Sequence, residues 1–180
     1  MEQKQEKQTT FKSELISWIK HLAVAVVLVL IINNLLIVNA FIPSGSMETT
    51  LMPGDRVFAN RLAYLGSKQP ERYDIIVFKF PDDESQNYVK RVIGLPGETV
   101  EEIKGIIYID GERIEDTSYI SERDQENFGP VTVPDGRYFV MGDCRINSLD
   151  SRYWDDKFVA ENKILGKAGL RYYPSIGMVK

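Results

Sequence analysis

The feature that most constrains this chain is an apolar run near its start, Leu22 to Val38, broken only by Asn33 and Asn34. Its first part, Leu22 to Ile32, is eleven residues without a polar side-chain atom. Apolar surface on that scale has to be covered, by protein or by lipid. About twenty residues are needed to cross roughly 30 Å of hydrocarbon. The stretch from His21 to Phe41 supplies that length before Pro43 ends any helix. The expectation is a transmembrane helix over residues 21–41, with the Asn pair as its costly part, preceded by a polar segment over residues 1–20. A cleavable signal peptide is the competing reading. Here the run continues past the Asn pair, and Val38-Asn39-Ala40 is only a fair small-x-small cleavage site, so an uncleaved anchor is expected. Four lysines precede the run (Lys4, Lys7, Lys12, Lys20), whereas only Arg56 and Arg61 follow it closely. That asymmetry predicts a cytoplasmic N-terminus, with residues 42–180 on the outer face of the cell membrane.

Residues 42–180 hold 18 Lys and Arg against 23 Asp and Glu, a net charge of −5. With that sign, and with its cations scattered, the chain is not expected to bind nucleic acid. Cys144 is the single cysteine, which rules out an intramolecular disulfide or a cysteine-rich zinc site. The single histidine, His21, lies at the edge of the apolar run. Everything beyond it therefore lacks imidazole. Nucleophilic catalysis by a Ser-His-Asp or Cys-His arrangement is excluded there, which leaves Lys, Asp or Glu as a base.

Beyond Pro43 the pattern is β. Arg56–Asn60, Asp74–Phe80 and Tyr88–Ile93 are β-branched and aromatic runs bounded by Pro, Gly or Asp. Ile106–Ile109, Asp110-Gly111 and Glu112–Ile114 read as a hairpin with a type I′ turn. Val131–Val133 and Arg137–Met141 flank a Pro-Asp-Gly turn, and Lys163–Tyr172 offers a last strand. No long amphipathic helix is expected after residue 43, and the acidic stretch Glu115–Asn127 reads as a loop. Such spacing predicts a compact antiparallel sandwich or barrel.

Three stretches carry candidate chemistry. Phe41-Ile42-Pro43-Ser44-Gly45-Ser46-Met47 puts two hydroxyls just beyond the apolar run. Ser46 lies within roughly 17 Å of extended chain from Phe41, a place suited to a nucleophile working at a bilayer surface. Lys90 sits in a strand where alternation puts Tyr88, Lys90 and Val92 on one face. Among apolar neighbours its amine would be desolvated and kept neutral, able to take a proton; an ordinary exposed strand lysine fits the alternation as well. Gly142 to Arg152 is dense in polar groups directly after a strand. Its Asp150 and Arg152 are placed for a charge-assisted pair, although a polar turn without a task fits too. Cys144 has no histidine partner and reads as a small buried residue.

Taken together these stretches resemble the bacterial type I signal peptidases, in their short single-anchor form. The family's Pro-Ser-Gly-Ser-Met-x-Pro-Thr-Leu motif is matched by Pro43 to Leu51, its lysine motif by Lys90 to Glu98, and its Gly-Asp-Asn-Arg-x-x-Ser-x-Asp-Ser-Arg motif by Gly142 to Arg152. Gly54-Asp55-Arg56 and Tyr73 to Phe78 fit family positions as well. Two residues depart from the pattern: Thr49 stands where proline is usual, and Cys144 where asparagine is usual. The resemblance implies a mainly β fold, a transmembrane helix followed by an antiparallel β-sheet catalytic core with a small inserted β segment over residues 99–134. It implies a serine endopeptidase with Ser46 as nucleophile and Lys90 as general base. The Ser46 N–H and the Ser44 hydroxyl would bind the oxyanion, and Ser148 would orient the amine. Asp143, Asp150 and Arg152 would support the loop. No metal or organic cofactor is implied. The expected partners are the lipid bilayer and the signal peptides of exported preproteins, which present small side chains before the scissile bond. A cytosolic self-cleaving Ser-Lys peptidase and an anchored, non-catalytic β-domain are the two rival readings. Phe41, Met47, Met52 and Trp154 are expected, from residue type, at the membrane interface.

Overall fold

The computed structural model describes residues 2–31, 35–114 and 118–179, with side chains from residue 14 onward. The chain divides into two units, Met1–Leu36 and Ile37–Lys180. The first holds one helix, α1 (Glu2–Ile31). Its window Glu14–Ile31 is 18 residues long and apolar enough to cross a membrane, and the large apolar side chains from Leu15 to Ile31 are exposed.

The expected helix over residues 21–41 is corrected at its end. Ile37–Phe41 forms strand β1 instead, pairing antiparallel with β2 (Arg56–Asn60) from Ile37↔Asn60 to Phe41↔Arg56. The apolar look of Ile37-Val38 hid a period-two segment: Val38 is buried while Asn39 is exposed, and β2 supplies ladder partners that a helix would not need. Among the described residues the window long and apolar enough to cross a membrane begins at Glu14, and the β-rich unit begins at Ile37, before residue 42. Asn33 and Asn34 lie outside the described residues.

In the second unit, alternation decides which runs become strands. β2 buries Val57 and Ala59 and exposes Arg56 and Asn60. Two runs have both faces covered and read as continuous apolar stretches: β3 (Ile75–Phe80) and the end of β4 (Asp83–Gly94). Then come β5 (Thr99–Ile103), β6 (Ile106–Ile109), β7 (Glu112–Arg113), β8 (Phe128–Thr132), β9 (Arg137–Met141), β10 (Val159–Ala160), β11 (Ile164–Tyr173) and β12 (Gly177–Met178). The β6–β7 turn is type I′ in kind, with Asp110 at φ 52° and Gly111 at φ 82°.

The main sheet runs β1-β2-β11-β3-β4-β9-β10, with β12 added beside β11; a second sheet, β7-β6-β5-β8, is built between Thr99 and Thr132. Pairing is antiparallel throughout these strands, so the fold is mainly β with a small inserted sheet. Adjacent residues of β4 and β9 serve two cores. Val92 and Val140 pack with Phe78, Tyr138 and Trp154; Ile93, Phe139 and Met141 pack with Val100 and Ile107 of the second sheet. β4 and β9 are thus clamped from both faces, a rigid base for anything that projects from their ends.

Sequence reasoning missed β5, whose Thr-Val-Glu-Glu-Ile reads as polar. Its Glu102 is buried at 1% exposure because Arg152 meets it, a partner 50 residues away that no local pattern reveals. Two residues expected at a membrane interface are corrected to core. Met47 is buried with Ile42, Leu51 and Val57. Trp154 is buried against Phe78, Phe80 and Tyr88, with ring centroids 5.9, 5.3 and 6.1 Å away. Phe41 and Met52 are exposed. Removing an indole from so dense a cluster leaves a large cavity. Trp154→Ala is expected to cost about 3–5 kcal/mol of unfolding free energy, measured by urea unfolding followed by far-UV circular dichroism.

Candidate active site

Ser46 sits in a single 3-10 turn, Gly45–Met47, in the connection between β1 and β2. The neck of that connection is closed by two backbone bonds, Ile42 N–H to the Asp55 carbonyl (2.9 Å) and Gly54 N–H to the Ile42 carbonyl (2.8 Å). Buried Met47 and Leu51 root it in the core. The turn is tied across to the distant loop by the Cys144 N–H, which donates to the Ser46 carbonyl at 3.2 Å. Gly45 permits the close approach: a Cβ there would lie 2.5 Å from Glu48 Oε1 and 3.2 Å from Asn147 Nδ2.

Lys90 lies on β4, paired with Ile76 of β3. Its face-mates Tyr88 and Val92 belong to the aromatic core, and Lys90 itself is only 3% exposed. The ordinary exposed lysine is thereby set aside. Burial, the largest influence, lowers the pKa of its amine to about 8, against the opposing pull of the Asp150 and Asp143 carboxylates. Each of those acids is already engaged by a guanidinium. Asp143 takes two bonds from Arg91, Nε at 2.9 Å and Nη2 at 2.8 Å. Asp150 takes two from Arg152, Nε at 2.9 Å and Nη2 at 3.0 Å. Bidentate pairs of this kind hold both partners in one geometry.

The polar stretch after β9 is therefore a built loop, not an idle turn. Asp150 also accepts from the Gly142 N–H at 3.1 Å, and Ser151 Oγ accepts from the Val140 N–H at 3.0 Å. Leu149 points outward while Ser148, Asp150 and Arg152 are buried. Gly142 is where the loop meets the serine turn. A Cβ on it would lie 2.2 Å from Ser148 Oγ and 2.4 Å from the Ser46 carbonyl oxygen, so no larger residue fits without pushing one of them away.

Ser44, Ser46, Lys90 and Ser148 line one cavity of about 710 Å³, walled by Phe41, Ile42, Tyr88, Val89, Leu149 and Tyr153. The Ser44 hydroxyl donates to the Ser46 hydroxyl at 3.4 Å. Among the described residues the buried Ser148 Oγ has no hydrogen-bond partner, and none of them forms a cluster of three or more His, Cys, Asp or Glu able to hold a metal. Asp143, Asp150 and Arg152 are not among the residues lining the cavity and are buried in the ion pairs described above. Cys144 is buried and contributes its backbone. Sequence reasoning missed Arg91, whose only signal was its place beside Lys90, and Thr50, whose hydroxyl donates to Asp143 at 2.5 Å. It also missed Glu102 and Asp124, which meet Arg152.

A hydroxyl, a dry amine and two further hydroxyls around one cleft suit acyl transfer. Comparison with known proteins agrees: the model of the signal peptidase family, peptidase S26, matches residues 15–173. The chain belongs to that family. It is similar to the "Probable signal peptidase I-1" of Synechocystis sp., 42% identical over 161 residues, or 86% of this chain and 80% of that one. The signal peptidase I of Bacillus amyloliquefaciens is 39% identical over 167 residues, covering 87% of this chain and 84% of the other. Signal peptidase I S of Bacillus subtilis is 37% identical over 174 residues, 91% of each. Membership makes the chain a serine peptidase, and the family's reaction is removal of signal peptides from preproteins. The contacts around Gly142 predict that Gly142→Ala lowers signal peptidase turnover by about 100-fold, a loss that a misplacement near 1 Å can cause. Circular dichroism should show the sheet intact while a preprotein cleavage assay shows the loss.

Proposed function

We propose that this signal peptidase is a membrane-bound serine endopeptidase that cuts signal peptides from exported preproteins with Ser46 as nucleophile and Lys90 as general base. One observation carries the reading: Ser46 and Lys90 line the same cavity, and burial brings that amine to about 8. At pH 8 such an amine is half neutral, where an ordinary lysine would be neutral in about one molecule in 250. The neutral amine takes the Ser46 proton as Oγ attacks the scissile carbonyl carbon. The negative charge that develops on the carbonyl oxygen falls to the Ser46 N–H and the Ser44 hydroxyl. The Lys90 ammonium then returns a proton to the leaving amine, and the acyl-Ser46 ester is hydrolysed by water that the same lysine deprotonates. Ser148 is buried and lines the same cavity as Lys90, which supports its role as the group that orients the amine.

Sheet topology supports an extended peptide as substrate. β4 pairs with β9 only through Arg91, Val92 and Gly94. Among the described residues no strand covers that edge of β4 from Gln86 to Lys90, where it borders the cavity opposite Ile146 to Leu149. A preprotein segment can add there by main-chain bonds, with shallow walls rejecting large side chains by clash. The apolar window Glu14–Ile31 supports a lipid bilayer partner. The lysines before that window support a cytoplasmic N-terminus and a catalytic unit on the outer face of the cell membrane. The net charge of −4 speaks against a nucleic-acid partner.

The reconstituted enzyme is expected to lose at least about 10³-fold in preprotein turnover as Ser46→Ala or Lys90→Ala, and about 10²–10³-fold as Ser44→Ala. Retained turnover in either of the first two defeats the assignment. The base must be neutral, so kcat/KM should climb as pH rises through about 8 and level off above it, measured on a signal-peptide-bearing preprotein.

A further inference from the structure

The acidic segment before β8, which reads from sequence as a loop, is tied to the catalytic loop at three alternate residues. Glu122 forms a parallel bridge with Cys144. Around it the Ser121 N–H donates to the Asp143 carbonyl at 3.2 Å and the Arg145 N–H to the Glu122 carbonyl at 3.0 Å. The Asp124 carboxylate accepts from Arg152 Nη1 at 2.5 Å. The Glu126 carboxylate accepts from the Tyr153 hydroxyl at 2.9 Å.

The far side of the segment is pinned by the β5–β6 turn. Gly105 N–H donates to the Glu126 carbonyl at 3.1 Å, and the Arg123 guanidinium donates to the Gly105 carbonyl at 2.9 Å. Gly105 has φ +74°, and a Cβ there would lie 2.2 Å from the Asp124 carbonyl oxygen, so the turn presses on the Asp124 backbone. β5 itself adds a second acid: Glu102 meets Arg152 Nη1 at 3.2 Å. Arg152 is thus held by Asp150 through Nε and Nη2, and by the inserted sheet's side through Nη1.

From this geometry we infer that Asp124, seconded by Glu102, is a positioning residue for the peptidase reaction, holding Arg152 on Asp150 and so setting both the place of the catalytic loop and the charge facing Lys90. The inference rests on Lys90 being the base. A stabilising brace alone would not need charge at this point. Here charge matters, because the Lys90 amine feels Asp150, Asp143, Arg152 and Cys144. Arg152 in turn faces Asp150, Glu102 and Asp124, with Arg145 also acting on Glu102. Neutralising Asp124 leaves the Arg152 charge less compensated. The amine then sees a more positive surrounding and gives up its proton more readily.

The test measures kcat/KM against pH, together with the melting temperature, for the full-length enzyme in lipid vesicles. Wild type, Asp124→Asn, Asp124→Glu, Glu102→Gln and Lys90→Ala are compared on a signal-peptide-bearing preprotein. Asp124→Asn is expected to lower kcat about 10-fold or more and to move the acidic limb of the profile to lower pH, with Asp124→Glu restoring both. Glu102→Gln should move the limb the same way, and it decides the matter if Asp124→Asn does not fold. A lower melting temperature with an unmoved limb in the folded variants overturns the inference, because it leaves a structural brace only. Retained turnover in Lys90→Ala overturns the base assignment itself, an outcome distinct from lost turnover there with an unmoved limb in the others.

Discussion

The site depends on a lysine amine buried beside two carboxylates that are already spoken for. Left free, Asp143 or Asp150 would hold Lys90 as an ammonium and make it useless as a base. Arg91 occupies Asp143 and Arg152 occupies Asp150, each through two hydrogen bonds at 2.8–3.0 Å. Desolvation is then the largest influence on the amine, and its pKa falls to about 8. Histidine is absent from this unit, so the base proposed for it rests on this electrostatic arrangement and not on an imidazole.

Three segments far apart in sequence have to meet for that arrangement to exist, and antiparallel pairing brings them together. β4 carries Lys90 and Arg91 on opposite faces, so one strand delivers both the amine and the guanidinium that keeps Asp143 occupied. β9 runs beside it through Arg91↔Met141 and releases the loop that begins at Gly142. The serine turn docks on that loop through the Cys144 N–H. Apolar cores on both faces of β4 and β9 make this a stiff frame, which catalysis by positioning requires.

Legibility varied from place to place, for physical reasons. Strands with one wet face were readable, because alternation is a local signal; β2 and the β6–β7 hairpin are examples. β5 was not, because its buried Glu102 answers to Arg152 and no neighbour in sequence announces that. β1 reads from sequence as the end of a helix, since Ile37-Val38 is equally apolar in either state and only the partner strand β2 separates them. Trp154 and Met47 look like interface anchors by residue type, and packing made them core.

The sequence by itself determined the chemistry available: a serine flanked by a second serine, a lysine in a β run, no imidazole near either, and an apolar stretch long enough for a bilayer. These are matters of composition and short spacing, which need no fold to be read. The tertiary structure decided whether Lys90 is dry, which acids face it, and which arginines hold those acids. Burial and charge pairing arise between residues distant in the chain, so they exist only once the sheets have closed around them.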